Sequence, residues 1–139
     1  MATTFALSVV TPEHEVLRCD AELVIVRGGG GEIGVMARHI PLVTSIEPSI
    51  LQIKKADGDD RLAITGGFLE VRGDAVTVLA RTAERAEDID KNRALEAKER
   101  AEARLAERHG EIDEARAKVA LARALVRLQL VEEQAHSAV

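Results

Sequence analysis

The residues best suited to bind a charged ligand are arginines placed on both sides of one glycine in the C-terminal third of the chain. Arg93 precedes Gly110 by as many residues as Arg127 follows it, so two antiparallel helices joined at this glycine would bring both arginines to one level. Arg123 lies one helical turn from Arg127, on the same face. Facing guanidinium groups repel one another unless an anion bridges them, and their planar forks fit phosphate oxygens. The spacing is therefore compatible with a phosphate-binding hairpin.

A simpler interpretation of these arginines is that they are solvated and form ion pairs along the helix surface. Glutamates lie at suitable spacings to pair with them: Glu96, Glu99 and Glu102. Pattern alone favours this second interpretation, because charged runs on helices usually face solvent.

The remaining reactive residue types are scattered and predict no catalytic or metal site. The four glycines of residues 28–31 are not followed by Lys-Ser or Lys-Thr but by a strand-like segment, so they predict a hairpin loop and not a phosphate loop. His39 has no histidine or cysteine near it in sequence, and we expect its ring to bond to backbone at the turn before Pro41. Cys19 has no activating neighbour except Arg18 and is expected to be a half-buried strand thiol.

Composition excludes several classes of protein. The 139 residues are 46% hydrophobic and 31% charged, which is a globular balance large enough for one domain or two small modules. Aromatic residues make up 1% and the net charge is −5, which argues against nucleic-acid binding. The single cysteine predicts no internal disulfide and fits an intracellular protein. Because no apolar run reaches about 18 residues and residues 1–4 lack signal-peptide character, we expect any membrane association to occur through partners.

The chain changes character near residue 83, which predicts an α+β protein with two domains. Residues 1–83 are rich in Val, Ile and Thr and broken by glycines, a pattern typical of short strands joined by tight turns. Such links make neighbouring strands antiparallel, and without helices to cover it the sheet should pack as a β-sandwich. The predicted strands are 5–10, 15–19, 21–27, 32–36, 42–46, 49–55, 61–65, 67–72 and 75–80.

Residues 84–139 have the Ala, Glu, Arg and Leu content of long helices and only one glycine, which predicts an antiparallel two-helix hairpin. Asp88 and Asp90 are expected to supply the N-cap and first-turn acids of a first helix that ends at about His109. The expected seam of the first helix is thin and alanine-rich: Ile89, Ala94, Leu95, Ala97, Ala101 and Leu105. The expected stripe of the second contains Ile112, Ala115, Val119, Ala122 and Val126, widened by Leu121, Leu125 and Leu128. Small residues bury little apolar area, so we expect a hairpin that can open.

Several separated motifs, in order, resemble the epsilon subunit of bacterial F-type ATP synthase. The matching segments cover essentially the whole chain: residues 31–44, 48–51, 66–71, 83–90 and 99–102. The resemblance implies a non-catalytic rotor subunit of a proton-translocating enzyme, located at the cytoplasmic face of the bacterial cell membrane. Its sandwich would bind the gamma subunit and the ring of c subunits. Positions expected to be structural or to contact other subunits are Gly34, His39, Pro41, Gly66, Gly67 and Phe68.

The resemblance also implies that the hairpin regulates the enzyme. Extended along gamma, it would contact the alpha and beta subunits and block ATP hydrolysis; folded, it would release the block. Some bacterial relatives bind ATP in the folded form, through a motif that residues 89–94 match. The implied regulatory ATP site comprises Glu84, Ile89, Asp90, Arg93, Ala94, Arg100, Arg123 and Arg127. This agreement with the arginine spacing makes nucleotide binding the favoured interpretation.

One alternative from another class stays open at this point. A β-sandwich that carries a helical hairpin also suits a stand-alone adaptor, which would bind its partners through the exposed helical seam. Binding to gamma distinguishes the two, since an adaptor has no reason to bind that subunit.

Overall fold

The computed structural model describes residues 3–107 and 110–137. The chain divides into two compact units, Met1–Glu84 and Arg85–Val139. Glu84 thus belongs to the strand-rich unit, where it forms the end of the last strand.

The first unit contains ten strands. They are β1 (Phe5–Val10), β2 (Glu15–Ala21), β3 (Leu23–Gly28), β4 (Gly31–Met36), β5 (Leu42–Ile46), β6 (Ser49–Lys55), β7 (Gly58–Ile64), β8 (Gly67–Arg72), β9 (Ala75–Ala80) and β10 (Ala83–Glu84). The predicted bounds of β1, β5, β6, β8 and β9 are confirmed residue for residue. The sequence did not predict the short strand β10, which pairs with β7.

The strands form two layers that a single bridge connects. One layer has the order β10-β7-β6-β3-β4 and the other the order β5-β8-β9-β1-β2. The bridge joins Gly28 of β3 to Ile46 of β5. Side chains of both layers meet in one core, which includes fully buried Leu7, Leu51 and Leu69. The predicted β-sandwich is confirmed.

Nearly all strand pairs are antiparallel, as the tight turns require, but one is not. β1 and β9 pair in parallel from Ala6↔Ala75 to Val10↔Leu79. These strands are distant in sequence, so no tight turn dictates their direction.

The second unit is a helical hairpin. A 3₁₀ turn (Ala86–Asp88) leads to α1 (Lys91–Ala106), and α2 (Glu111–Ser137) packs against α1. Asp90 caps α1 by accepting a hydrogen bond from the peptide N–H of Arg93 at 3.1 Å, which confirms it as the N-cap; Asp88 instead ends the 3₁₀ turn. The helix ends before its predicted limit, and His109 lies outside the described residues.

The most buried hairpin positions are mainly alanines, and the predicted stripe on α2 was wrong at four of its eight positions. Ala94 and Ala101 are buried on α1, and Ala117 and Ala124 on α2, each pair seven residues apart. Four members of the predicted stripe are exposed instead: Ile112 at 71%, Leu125 at 45%, Val119 at 43%, and Ala115. Val126 is buried, as predicted. Alanines allow closer approach of two helices, so the helix faces that carry them are buried.

Candidate functional site

The strand-rich unit exposes large apolar side chains side by side on the outer face of one layer. Register aligns Phe68 of β8 with Leu79 of β9, and Leu79 with Val10 of β1. Val43 of β5 lies two residues from Ser45, the partner of Phe68, and so points to the same side. Phe68 is 55% exposed, Leu79 46% and Val43 70%. These four residues, Val10, Val43, Phe68 and Leu79, are called the outer apolar row.

Gly66 and Gly67 fix the backbone that presents Phe68. Both have positive φ, 115° and 149°, where residues with a Cβ are strained. The Gly66 carbonyl oxygen accepts a hydrogen bond from the peptide N–H of Arg81 at 2.9 Å. Next to them the hydroxyls of Thr65 and Thr82 bond at 2.6 Å, which satisfies the one buried polar side chain among the described residues. The two glycines thus have a structural role in the link from β7 to β8.

The other motif residues of this unit lie on β4 and in the loop after it. The His39 ring donates from Nδ1 to the carbonyl oxygen of Ile40 at 2.7 Å, because a carbonyl can only accept. This bond confirms the expected contact between the ring and the backbone before Pro41. Pro41 itself is exposed. Gly34 is exposed on β4 opposite Ile25. None of these positions belongs to the outer apolar row.

The predicted nucleotide arginines lie on both helices of the hairpin. Because α1 and α2 are consecutive packed helices, they run antiparallel, and the start of α1 lies beside the second half of α2. Arg93 lies in the first turn of α1 and is exposed, while Arg123 and Arg127 on α2 are half-buried. Arg100 is exposed two turns further along α1. Arg93 and Arg127 are thus equally far along the chain from Gly110, while Arg100 and Arg123 lie closer to it.

The remaining predicted nucleotide residues have structural positions. The Asp90 side chain caps α1, and Ala94 is buried, with 4% of its surface exposed. Ile89, half-buried, follows the 3₁₀ turn, and Glu84 belongs to the other unit.

The hairpin also has an open groove, but the arginines do not line it. The groove measures about 890 Å³ and lies between the start of α1 and the end of α2. Its walls include Leu95, Lys98, Leu125, Leu128 and Glu132. An arginine-based site would therefore lie on a different face of the hairpin.

Cys19 has the environment that the sequence predicts. It is half-buried in β2, and burial raises the pKa of its thiol, with the nearby charge of Lys55 acting in the opposite direction. Near neutral pH the thiol stays protonated, so it is a poor nucleophile. Lys55 itself bonds to Asp60, with 2.9 Å between Nζ and Oδ2.

Within residues 3–107 and 110–137, His, Cys, Asp and Glu side chains form no group of three or more that could hold a metal ion. Neither described helix combines the length and apolar character needed to cross a bilayer.

Sequence reasoning missed most of the outer apolar row. Of its members, only Phe68 had been singled out. Val10, Val43 and Leu79 each occupy an ordinary strand pattern, and their adjacency depends on the register among four strands. A signal was present in the sequence, because strands 42–46 and 75–80 carry apolar residues on both faces. A strand whose outer face is exposed to water needs apolar residues only on its inner face.

The fold and its exposed row define a β-sandwich followed by a helical hairpin, with large apolar side chains adjacent on the outer face of one strand layer. The family models agree. The ATP synthase Delta/Epsilon chain β-sandwich domain matches residues 4–86, and the long α-helix domain of the same chain matches residues 87–132. The chain therefore belongs to the ATP synthase delta/epsilon chain family, and its bacterial relatives place it among the epsilon chains.

Two of these relatives illustrate the similarity. The ATP synthase epsilon chain of Anoxybacillus flavithermus is 50% identical over 99 residues, which cover 71% of this chain and 74% of that protein. The ATP synthase epsilon chain of Brevibacillus brevis is 53% identical over 97 residues, which cover 69% and 74%.

Solved structures share the fold. A chain of the mitochondrial ATP synthase of Euglena gracilis, in a structure of OSCP, F1 and the c-ring, superposes with a TM-score of 0.78 at 24% identity, covering 98% of this chain and 84% of that chain. A chain from the central stalk and c-ring of the Tetrahymena thermophila mitochondrial enzyme gives a TM-score of 0.60 at 12% identity, with 94% and 98% covered.

Proposed function

We propose that this protein is a non-catalytic rotor subunit of the central stalk in a bacterial, proton-translocating F-type ATP synthase. Its sandwich binds the gamma subunit and rests on the c-subunit ring, so that it is peripheral to the cell membrane on the cytoplasmic side. Membership of the epsilon chains supports this role. The observation that carries it is the outer apolar row, which offers a ready surface for a partner chain.

We assign the outer apolar row to the gamma subunit. Val43, Phe68 and Leu79 are each about half exposed or more, and their neighbours Leu69 and Val78 are fully buried, so the row is rigidly backed by the core. A rigid aromatic residue at the centre of an apolar patch is typical of binding hot spots, whose loss costs about 2–4 kcal/mol. Such a loss weakens binding by roughly 30-fold to nearly 1000-fold.

Co-purification tests this assignment. Phe68→Asp should abolish capture of gamma by the full chain, because it places a charge in the centre of the interface. Ile40→Asp is the matched control, since Ile40 is similarly exposed at 75% but lies outside the outer apolar row. Equal capture of gamma by both variants, with the sandwich still folded by amide NMR, would show that the row is not the gamma surface.

We further propose that the hairpin regulates ATP hydrolysis and that ATP holds it closed. The alanine-based contact of α1 and α2 supports a hairpin that opens, because alanine buries little apolar area. When open, basic residues of α2 would engage acidic surfaces of the alpha and beta subunits and block hydrolysis. A ligand that binds only the closed form favours it by RT ln(1 + [L]/Kd), about 2.7 kcal/mol at a hundredfold excess over Kd.

The arginines carried by both helices support a nucleotide as the ligand of the closed hairpin. Guanidinium groups on α1 and α2 suit the oxygens of a triphosphate, and a ligand that contacts both helices would hold them together. Arg93, Arg100, Arg123 and Arg127 would hold the phosphates. Asp90 would contribute by capping the turn that carries Arg93.

Calorimetry with ATP on the full chain tests this site. Arg93→Ala and Arg127→Ala should each abolish measurable binding, because each removes a charged fork from the phosphates. Arg116→Ala serves as control, since Arg116 is exposed on α2 near Gly110, at the opposite end of the hairpin. Unchanged affinity in Arg93→Ala and Arg127→Ala would refute this location for the nucleotide.

A further inference from the structure

The sandwich carries a second surface feature that the proposed function does not use. A cleft of about 500 Å³ opens beside the start of β3 and the end of β4. It is lined chiefly by Glu22, Leu23, Met36, Ala37, Arg38 and Lys54. This volume lies within the range of small-molecule sites, about 300–1000 Å³.

The floor of the cleft is apolar. Leu23 of β3 pairs with Met36 of β4 on one side and with Lys54 of β6 on the other, so the three side chains share one outer face. Met36 is 62% exposed. Methionine is flexible and polarizable, which lets it adapt to an apolar ligand. Gly34, two residues before Met36 on the same face, adds no side chain that would raise the floor.

Three charged residues line the cleft, the cations Lys54 and Arg38 and the carboxylate Glu22, so its net charge is positive. Lys54 and Arg38 are both exposed, and within residues 3–107 and 110–137 neither forms an ion pair. A hydrogen bond of 2.7 Å from the peptide N–H of Glu22 to the Lys54 carbonyl oxygen ties the two strands together at this point. The cationic rim therefore stands on a fixed backbone.

Arg38 adopts a conformation that arginine normally avoids. Its φ is +65°, and it is the only described residue other than glycine with positive φ. Glycine or asparagine would occupy such a position without this strain. Strained residues that persist are found preferentially at ligand sites, so the conformation is a second, independent pointer to binding.

We propose that this cleft binds a free fatty-acid carboxylate. The carboxylate head lies between the Arg38 guanidinium and the Lys54 ammonium, and the chain lies over Leu23 and Met36. A small inorganic anion would leave the apolar floor uncovered, and a neutral apolar molecule would leave both cations without a partner. An anionic head joined to an apolar chain satisfies both parts of the cleft.

Titration with decanoate below its micellar concentration tests the proposal, with amide NMR of the full chain as the readout. Shifts should concentrate at Leu23 and Met36 and saturate. Arg38→Asn should weaken binding about tenfold, because it removes a charge-assisted hydrogen bond while asparagine tolerates the same backbone. Lys54→Gln should act in the same direction. Arg81→Gln is the control, since Arg81 is exposed but does not line the cleft, and it should leave affinity unchanged.

Several outcomes overturn the proposal. Acetate or inorganic phosphate binding as tightly as decanoate would indicate a simple anion site. Equal binding of decanol would remove any role for the cations. Shifts at these residues with vesicles containing phosphatidylglycerol, but none with decanoate, would indicate a membrane-facing surface. Absence of saturable shifts, or unchanged affinity in Arg38→Asn, would refute the site while leaving the role in ATP synthase intact.

Discussion

Replacing Gly67 by alanine should strongly destabilise the sandwich, because the backbone there leaves no room for a Cβ. Gly67 opens β8 at a φ of 149°. A Cβ at this position would overlap the carbonyl oxygen of Leu79 and lie 2.9 Å from the Ala80 Cα. Both atoms belong to the backbone of β9, which pairs with β8 through six residues and cannot withdraw without breaking the ladder.

The expected cost is the sum of two terms. Backbone strain at such a φ contributes about 1–3 kcal/mol. Overpacking against a rigid neighbour contributes about another 1–3 kcal/mol. Taking about 3 kcal/mol as a conservative total, the melting temperature of a domain of this size should fall by roughly 12–24 °C.

Two further glycines separate the terms. Gly73 has a φ of 60°, but a Cβ there meets nothing within 4 Å, so Gly73→Ala should cost only the strain, about 1 kcal/mol. Gly30 has neither problem, so Gly30→Ala should be neutral within about 0.5 kcal/mol. Thermal unfolding is best followed by amide NMR, which distinguishes strands from helices in a chain without Trp or Tyr. If Gly67→Ala lost no more stability than Gly73→Ala, the argument from backbone overlap would be wrong.

Other perturbations test the hairpin and a partly buried ion pair. Ala101→Leu should lower the free energy of unfolding of the hairpin by about 1–3 kcal/mol, because Ala101 is only 3% exposed and a larger side chain would overpack the contact. Ala103→Leu on the exposed face should change it by less than about 0.5 kcal/mol. Equal melting curves of the two variants by circular dichroism would contradict this reasoning. The hydrogen bond to Asp60 raises the pKa of Lys55 above its ordinary value of 10.5, so the pair stabilises the fold below that pH and the benefit is lost as pH rises through the folded pKa. Lys55→Gln should therefore be less stable than the native chain by about 0.5–1 kcal/mol near pH 8, with the difference shrinking in denaturation series as pH rises above 10.5. Arg18→Gln, from a more exposed pair, should matter less throughout. A difference that persists undiminished at high pH would show that the ion pair is not its source.

Much of the sandwich could be predicted because local chemistry dictates it. Alternating apolar residues and turn glycines define β1, β5, β6, β8 and β9 with their observed bounds. The errors fall where that chemistry is weak. Ala21 ends β2 and does not begin β3, since one small residue marks no boundary, and β7 begins at Gly58 because pairing with β6 extends through polar residues.

The long-range features were beyond local pattern. The parallel pairing of β1 with β9, and hence the outer apolar row, depends on which distant strands become neighbours. In the hairpin, Asp90 was predictable as a cap because an aspartate before a helical run satisfies its free N–H groups. The buried face of α2 was not, since alanine and leucine compete for that face and only the partner helix decides between them.

The pairing of the first strand with the ninth has a consequence for synthesis on the ribosome. β1 lies between β9 and β2 in the sheet, so it lacks one neighbour until roughly the first eighty residues have emerged. Contacts between residues so far apart in sequence form slowly, because the chain loses the entropy of closing a long loop before the strands can pair. During synthesis the β9-facing edge of β1 therefore stays unpaired until β9 has emerged. The two helices are synthesised only after β9.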